Sequence, residues 1–547
     1  MALNQFFADT VFLGGKIITI NNQNEICEAV AVRGNRIIYV GSRLGAEDYI
    51  GAKTAVIDLQ GRVVTPGFID CHFHPILYGF FDGAIIDITY EKAKSIGAIQ
   101  AIIAQEAAKR RPGEWIKLWG YDQNKLQEQR HVTIEDLDAA APKNPVQCMR
   151  VCGHMGVYNT LALATGGIHS PADAAKFAKN EVVVENGRLT GMTKETTNFY
   201  LWSKVVYSDA EMRAALKKSN DLLLKTGITS IHDPGEFGAQ SFQLMQQACC
   251  NGEFKPRVYA MLHSVFGKPF SKKLCDDFLA LGLQSGIGDE RFKLGTLKIM
   301  IDGGTSGPSC ATRQPYSHNA KLPGILTWTQ DEVNAMIATV HRANCQMTAH
   351  AVGDLAVEMM LTGYEQAAAK YPREDCRHRI EHCALTDEAL IARMASLAII
   401  PVSNPAFMTI NGSDYRRYYG DRADYMFAAR SYIDAGLRPV IGSDAPTCEE
   451  SVMRGIDGSV NRRDRRTGEV IGANQKITVA EALRLYTING AYASFEENIK
   501  GSIEVGKLAD LVVLSEDILA YPEEQLMDIQ VDLTMIDGEV VYERLGG

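Results

Sequence analysis

Two histidines separated by one residue, His72 and His74, stand at the end of an apolar run that covers residues 63–69. If this run forms a β-strand, side chains two residues apart leave the same face of the strand, so both imidazoles point in one direction. A pair of converging imidazoles supplies the first two nitrogen ligands that a divalent transition metal needs. The pair therefore predicts a metal site, provided that other parts of the chain supply the remaining ligands.

Four further residues that can bind or bridge metals lie in other apolar runs or directly at their ends: Lys298, His350, His382 and Asp444. Each has a structural explanation of its own. A strand-end histidine can be hydrogen-bonded, a lysine stem can cover apolar surface while its amine reaches water, and an aspartate can cap a helix. Their shared position at strand ends favours one metal site over six unrelated structural roles.

The elements that must position these residues alternate between short β-rich runs and amphipathic helical stretches, which indicates an α/β fold. We expect about eight such strands, the pattern of a (β/α)8 barrel of the TIM type, whose catalytic residues project from the carboxyl ends of different strands. The predicted strands are the run before His72 and residues 146–151, 227–232, 296–301, 346–349, 379–381, 397–402 and 437–441. A doubly wound parallel sheet is the alternative, because strand counting does not separate the two.

The predicted barrel domain covers residues 65–487, and the long segments after its first two strands are expected to be insertions. The second segment contains a predicted hairpin at residues 182–189, with an Asn-Gly turn. Both ends of the chain consist instead of short apolar runs separated by tight Gly, Asn and Asp-Gly turns. Residues 1–64 and 488–547 are therefore predicted to form one composite β-sandwich domain, which would cover sheet edges that neither end could cover alone.

The charge balance limits the partners of the protein. The 547 residues carry a formal net charge of −10, which argues against nucleic acid or an anionic membrane and leaves a small-molecule substrate. No signal peptide is expected, and no apolar run approaches the roughly 18 residues that span a bilayer. The twelve cysteines include no CxxC pair, which is typical of a reducing compartment. We expect a cytoplasmic protein.

Several motifs resemble those of the metal-dependent amidohydrolase superfamily, and the resemblance runs nearly from end to end. Residues 65–75 (TPGFIDCHFHP) match the strand that enters the barrel, and residues 501–514 (GSIEVGKLADLVVL) match the return to the small β domain. Six segments resemble the branch of YtcJ-like proteins and N-substituted formamide deformylases (amidohydrolase family 3): 119–123 (WGYDQ), 153–159 (GHMGVYN), 297–303 (LKIMIDG), 349–354 (AHAVGD), 379–382 (RIEH) and 442–446 (GSDAP). The loop at residues 304–309 differs from the one usual in this branch.

The resemblance implies a binuclear centre, with two zinc ions per chain as the expected cofactors. The implied ligands are His72 and His74 for one metal, His350 and His382 for the second, Lys298 as a bridge carboxylated on its ε-nitrogen, and Asp444. A carbamate suits the lysine position because a protonated ammonium beside two dications would be strongly repelled. A homodimer is a further expectation from the family.

The implied activity is hydrolysis of a non-peptide C–N bond in an amide, formamide or N-acyl compound. A metal-bridging hydroxide would attack the carbonyl group, and Asp444 would accept its proton and pass it to the leaving nitrogen. His154 is a candidate electrophile over the substrate oxygen, with a packed structural histidine as the alternative. The candidate substrate contacts are Trp119, Tyr121 and Asp122.

Three other functions stay open. A binuclear enzyme of this kind could act on an ester, a carbamate or a lactone. A mononuclear deaminase of the same superfamily usually has a glutamate shortly after the third histidine, whereas Ala351 follows His350 here and Lys298 is present, which favours two metals. A non-enzymatic scaffold is disfavoured because all six ligand positions are filled.

Overall fold

The N-terminal part of the chain is built from short strands that enter two different sheets. The computed structural model describes residues 7–81, 83–321 and 324–544. The first elements are β1 (Thr10–Leu13), β2 (Lys16–Ile18), β3 (Ile26–Cys27), β4 (Ala29–Arg33), β5 (Arg36–Gly41), α1 (Arg43–Glu47), β6 (Ala55–Asp58) and β7 (Val63–Pro66). Four of these seven strands form a sheet in the order β5-β4-β1-β6, and the other three strands, β2, β3 and β7, join strands from the C-terminus.

The apolar run that precedes His72 is two strands rather than one. β7 pairs with the terminal strands, whereas β8 (Phe68–Asp70) opens the barrel. Gly67 separates them, and a Cβ at this position would lie 2.1 Å from the Thr229 hydroxyl oxygen. The chain therefore passes from one sheet to the other at a point where only glycine fits.

A long insertion follows β8 and has a sheet of its own. Its elements are α2 (Pro75–Phe80), β9 (Ile86–Asp87), α3 (Ile96–Lys109), β10 (Ile116–Tyr121), α4 (Ile134–Ala140), β11 (Val146–Arg150), β12 (Met155–Tyr158), α5 (Thr160–Thr165), a 3-10 helix (Pro171–Lys176), β13 (Val182–Glu185), β14 (Arg188–Lys194) and α6 (Glu195–Trp202). The six strands are ordered β13-β14-β12-β11-β10-β9. The predicted hairpin is confirmed as β13 and β14, with Val184 opposite Leu189.

The predicted barrel strand at residues 146–151 is wrong. This segment is β11, which pairs with β10 and β12 inside the insertion. All five residues of β11 are buried, so its apolar composition is the same as that of a barrel strand and does not show which sheet it joins. The chain accordingly has one long insertion after the first barrel strand, where two insertions were predicted.

The remaining barrel elements alternate as βα units. They are α7 (Asp209–Lys225), β15 (Ile228–Asp233), α8 (Ala239–Cys250), β16 (Arg257–Leu262), α9 (Lys268–Ala280), β17 (Ile287–Gly288), β18 (Phe292–Met300), α10 (Gln330–Arg342), β19 (Gln346–Ala351), α11 (Asp354–Lys370), β20 (Arg379–His382), α12 (Glu388–Ser396), β21 (Ile400–Ser403), α13 (Ala406–Tyr419), a 3-10 helix (Gly420–Tyr425), α14 (Ala429–Asp434), β22 (Val440–Ile441), α15 (Val452–Val460), a 3-10 helix (Ala473–Gln475), α16 (Val479–Leu485) and α17 (Ile488–Ala493).

Eight of the strands form a nearly closed parallel barrel in the order β22-β21-β20-β19-β18-β16-β15-β8, and β17 pairs with β18 outside this path. The Cys71 amide, just after β8, donates to the Ile441 carbonyl of β22 at 2.9 Å and links the two ends of the order. The predicted barrel is thus confirmed, with β16 as a strand that the sequence did not predict. Arg257, the first residue of β16, is buried. It forms an ion pair with Asp510, which lies 253 positions further along the chain.

The C-terminal strands complete the second terminal sheet. After β23 (Leu511–Leu514) and a 3-10 helix (Glu523–Asp528) come β24 (Val531–Ile536) and β25 (Glu539–Glu543). The sheet runs β25-β24-β23-β7-β2-β3, so both termini contribute strands to it. Val32 of the four-stranded sheet and Val513 of this sheet belong to one buried apolar cluster.

Several barrel helices begin at capping boxes that the sequence displays. Ser208 and Glu211 cap α7, and Thr329 and Glu332 cap α10, in each case with reciprocal side-chain to backbone hydrogen bonds. α7 and α11 each have 17 residues.

Among the helices of the described residues, none combines the length and the apolar character that a membrane crossing requires.

Candidate metal centre

The structure brings all six predicted metal-site residues together at the carboxyl ends of the barrel strands: His72, His74, Lys298, His350, His382 and Asp444. His72 Nε2 lies 3.4 Å from Lys298 Nζ and 3.5 Å from Asp444 Oδ1. His74 Nε2 lies 3.5 Å from the same aspartate oxygen. The His382 ring is 4.7 Å from the His72 ring and 4.5 Å from the His350 ring, between centroids.

Burial keeps three of these imidazoles, those of His72, His350 and His382, neutral. Desolvation, together with Lys298, holds the pKa of His72 well below its ordinary value. Desolvation also lowers the pKa of His350 to about 3 and that of His382 to about 4. Because a neutral imidazole offers a nitrogen lone pair, the three rings can act as metal ligands at neutral pH.

Outer hydrogen bonds fix the orientation of two of the rings. The His72 Nδ1–H donates to the Glu381 carboxylate at 2.6 Å, and Arg379 donates to that carboxylate as well. The His382 Nδ1–H donates to the Asn404 side-chain oxygen at 2.9 Å. In both rings Nε2 is the nitrogen turned to the cluster, the arrangement found around metal-binding histidines.

The donor set fits a divalent transition metal. Nδ1 of His74 is buried without a hydrogen-bond partner, whereas its Nε2 approaches Asp444. His72, His74 and Asp444 place their ligand atoms within 4.8 Å of one another, which is close enough for one ion to contact all three. Imidazole nitrogens with a carboxylate oxygen suit zinc and its neighbours in the first transition row.

Two groups of the cluster, Lys298 and Asp444, have pKa values that are shifted from their ordinary values. Lys298 is 3% exposed, and desolvation lowers its pKa to about 8 although Glu381 and Asp444 oppose the shift. A minor fraction of the amine is then neutral near physiological pH, and the neutral amine is the form that reacts with carbon dioxide to give a carbamate. Burial opposes the ionisation of Asp444, but His382, His74 and Lys298 outweigh it and hold the pKa at about 2.

Three residues of the site were not predicted from the sequence. Asp233 ends β15, and burial raises the pKa of its carboxyl group to about 6. Asn404 follows β21, and His263 follows β16 and lines the cavity. Inspection of every strand end for polar residues could have found Asp233 and Asn404. His263 had no such signal, because β16 itself was not predicted.

A second trio with metal-binding side chains lies elsewhere and is saturated by hydrogen bonds. The Met347 amide donates to His378 Nδ1 at 3.0 Å, so the proton of this ring is on Nε2 and is donated to His341 Nδ1 at 2.9 Å. The His341 Nε2–H in turn donates to the Tyr371 carbonyl at 2.7 Å. Although Cys376 lies beside the pair, the two nitrogens that face each other are already paired, and this trio has a structural role.

A cavity of about 990 Å³ connects the metal cluster with the insertion. The insertion contributes Trp119, Asp122, Arg150 and His154 to its wall, and residues 304–306 of the loop after β18 line it as well. Trp119 packs edge-on against Trp202 at 5.3 Å between ring centroids. The predicted contacts Trp119 and Asp122 thus lie where a substrate would bind.

Tyr121 does not line this cavity. Its side chain is fully buried in the apolar core of the insertion, and its hydroxyl lies 3.1 Å from His131 Nδ1. Gly120 has φ of 116° and interrupts the register between β10 and β11. Simple alternation would put Trp119 and Tyr121 on one face; the bulge sends them to opposite faces.

His154 faces the cavity beside the metal cluster, 5.7 Å from His350 between ring centroids. Its Nδ1–H donates to the buried Glu195 carboxylate at 2.8 Å. Burial alone would lower the pKa of His154, but the charge of Glu195 overcomes it and raises the pKa to about 9. His154 is therefore a cationic hydrogen-bond donor at neutral pH. Glu195, whose φ of 42° is unusual for a residue with a side chain, was not predicted.

A parallel barrel that gathers histidines, an ionised aspartate and a buried lysine at its carboxyl end defines the class of metal-dependent barrel hydrolases. The family comparison agrees with this class. The chain belongs to the amidohydrolase family, whose model Amidohydro_3 matches residues 55–542.

Relatives and solved structures cover nearly the whole chain. The chain is 28% identical to an N-substituted formamide deformylase of Arthrobacter pascens, over 98% of this chain and 99% of the relative. It is 29% identical to the protein YtcJ of Bacillus subtilis (strain 168), with the same two coverages. An uncharacterised metal-dependent hydrolase from Pyrococcus horikoshii OT3 has the same fold, with a TM-score of 0.76 and 20% identity, over 94% of this chain and 99% of that one.

Proposed function

We propose that the protein hydrolyses a non-peptide C–N bond in an amide, formamide or N-acyl compound. The observation that carries this proposal is the convergence of four histidines, Lys298 and Asp444 on one point at the mouth of the barrel. The name of the Arthrobacter relative, an N-substituted formamide deformylase, supports the formamide group as a member of the substrate class.

The residues assigned to the cofactor are those of the cluster. His72 and His74 would hold one divalent ion and His350 and His382 a second, with zinc as the proposed metal. Lys298 would bridge them as a carbamate, an anion in place of a buried cation. When bound, such ions supply Lewis acidity to a carbonyl oxygen and lower the pKa of water toward 7.

Proton transfer is assigned to Asp444. Its pKa of about 2 keeps it ionised at neutral pH, so it can accept a proton from the attacking water. Its side-chain oxygen lies 3.5 Å from Nε2 of both His72 and His74, and the same carboxyl group can then donate the proton to the leaving nitrogen. A positioned carboxylate in this role contributes roughly 10²–10⁴-fold to the rate.

His154 is assigned to the substrate carbonyl. The ring is held by Glu195 as a cation, and it reaches the cavity from the insertion while the ligands reach it from the barrel. A fixed cationic donor stabilises the negative charge that develops on the oxygen during attack.

A panel of compounds tests the proposal. Protein purified with added zinc and bicarbonate should hydrolyse formamides or N-acyl compounds, and a chelator should abolish the turnover. Esters, carbamates and lactones of matched shape belong in the same panel. If only these compounds were hydrolysed, the bond that the protein cleaves would be that of an ester, carbamate or lactone. Release of ammonia from an aminopurine would point to a deaminase.

We also propose that the two terminal sheets form one β-sandwich domain. The four-stranded and six-stranded sheets share a buried apolar cluster that includes Val32 and Val513, and strands from both termini take part. Strands β1–β7 and β23–β25 account for this domain, whereas α17 (Ile488–Ala493), predicted to belong to it, packs on the barrel, because Ala491 shares an apolar cluster with Ile69 of β8 and Val440 of β22.

A further inference from the structure

One buried cation in the cavity wall lacks a complete set of partners. Arg150 is 4% exposed, yet its Nη1 has no hydrogen-bond partner. An arginine cannot give up its proton at any physiological pH, so burial of an unpaired guanidinium edge is unfavourable. Such a group is typical of a site that a ligand completes.

The rest of the guanidinium is held rigidly. Nε donates to the Gln123 side-chain oxygen at 2.8 Å, and Nη2 donates to Asp122 at 3.3 Å. Arg150 is the last residue of β11, and both partners lie just beyond the end of the neighbouring strand β10. These contacts fix the plane of the guanidinium, the Cys152 thiol lies close to it, and Nη1 has no hydrogen-bond partner.

The loop after β18 places Nη1 of Arg150 on the same wall as the reaction centre. A Cβ at Gly304 would lie 3.6 Å from His154 Nε2, and a Cβ at Gly307 would lie 3.6 Å from Arg150 Nη1. Three residue steps span at most about 11 Å. With the two contact distances added, Arg150 Nη1 and His154 Nε2 lie at most about 18 Å apart along this wall.

The surrounding charges favour an anion. Outside the metal cluster and His154, five cationic and three acidic side chains line the cavity, although the whole chain has a net charge of −10. The cationic residues are Lys125, Arg150, Arg417, Arg465 and Arg466. A locally positive mouth on an acidic protein attracts anionic ligands.

We propose that the substrate carries a carboxylate, and that Arg150 Nη1 binds this carboxylate while His154 and the metal cluster act on the C–N bond. The inference rests on the proposed function and narrows its substrate class to amides with an acid group. A carboxylate completes the guanidinium with charge-assisted hydrogen bonds, which a neutral group provides less strongly.

Matched substrate pairs test this assignment. N-Formylglycine, N-formyl-β-alanine and N-formyl-4-aminobutyrate are each compared with their primary carboxamides, which keep the shape and lose the charge. The series also locates the favoured distance between the two groups. We expect kcat/KM to be about 10- to 100-fold higher for the best acid than for its amide, the range of a hydrogen bond to a charged group.

The variant Arg150→Gln should remove this preference by raising KM for the acids, and a far-UV circular dichroism spectrum and zinc content equal to wild type report a folded site. Arg188→Gln is the control, because Arg188 is exposed on the β13–β14 hairpin. A preference for the acid that survives in Arg150→Gln, or an absence of any preference in wild type, would overturn the assignment.

A binding experiment separates this inference from the proposed function. If neither these series nor the wider panel of formamides and N-acyl compounds is hydrolysed, the proposed function fails, and the carboxylate site is judged with 4-phenylbutyrate against 4-phenylbutyramide. A rise in Tm of the zinc-loaded protein with the acid alone, lost in Arg150→Gln, supports the site. An equal rise with both compounds, or none, counts against it.

Discussion

The carboxyl end of the barrel and the wall formed by the insertion face the same cavity, but the buried polar atoms that they leave without hydrogen-bond partners differ in kind. Those of the barrel end include the imidazole nitrogens Nδ1 of His74 and Nδ1 of His350. At the barrel end, Glu381 and Asn404 orient the rings of His72 and His382. In the insertion wall, Nη1 of Arg150 and Oε1 of Glu195 are buried without partners. The histidines of the barrel end can bind metal ions together, whereas the insertion wall offers groups that a bound substrate would complete.

This difference assigns separate tasks to the two regions. In the proposed mechanism the barrel end supplies the metal ligands and the proton acceptor, so a change there should affect metal content or kcat. The insertion supplies His154 and Arg150, and a change there should affect which compound is turned over. Variants in each region can therefore show whether the two tasks are separate.

The largest effect on turnover is expected at Asp444. Asp444→Asn keeps the size of the side chain and removes the proton acceptor, so kcat should fall by roughly 10²–10⁴. Steady-state kinetics of zinc-loaded protein checks this. Asp421→Asn, at a fully exposed position, should match wild type; an Asp444→Asn enzyme with kcat within a few-fold of wild type would remove Asp444 from proton transfer.

A smaller loss is expected when the outer partner of His72 is changed. Glu381→Gln keeps the shape but weakens the hydrogen bond at Nδ1, and metal affinity should fall by about 10–100-fold. Competition with a chromogenic chelator measures the affinity. Glu388→Gln, in an exposed position at the start of α12, provides the control; unchanged affinity in Glu381→Gln would show that this contact does not tune the centre.

In the insertion, the pH profile should depend on Glu195. His154 is cationic below its pKa of about 9, so activity that needs the cation should fall as pH rises through 9. In Glu195→Gln the charge that raises the pKa is absent, and this alkaline limb should move toward neutral pH. Measurement of kcat against pH for both proteins checks the shift. A limb that stays in place would leave His154 without a role as a cation.

The smallest effect is expected at Tyr121. Tyr121→Phe removes a hydroxyl that bonds within the insertion core, so the free energy of unfolding should fall by about 1 kcal/mol, with KM and kcat near wild type. Denaturant titration and kinetics test the two parts. A large rise in KM would show that Tyr121 contributes to substrate binding.

The sequence predicted the barrel end better than the insertion for a physical reason. Parallel strands bring their carboxyl ends to one side, so residues that end different strands must converge even though 372 positions separate His72 from Asp444. In the insertion no such rule applies. The bulge at Gly120 turned Tyr121 away from the cavity, and β11 has the composition of a barrel strand but pairs within the insertion sheet. The partners Glu195 and Arg150 depend on this tertiary arrangement.

Metal content tests the central claim of a lysine-bridged binuclear centre most directly. Wild type, Lys298→Met and the control Lys293→Met are prepared with zinc and bicarbonate and analysed for bound metal. Lys293 lies on the same strand and forms an ion pair with Glu496 at 3.1 Å, away from the cluster. The account predicts two zinc ions per chain in wild type and Lys293→Met, and one or none in Lys298→Met. Equal metal content in all three would contradict it.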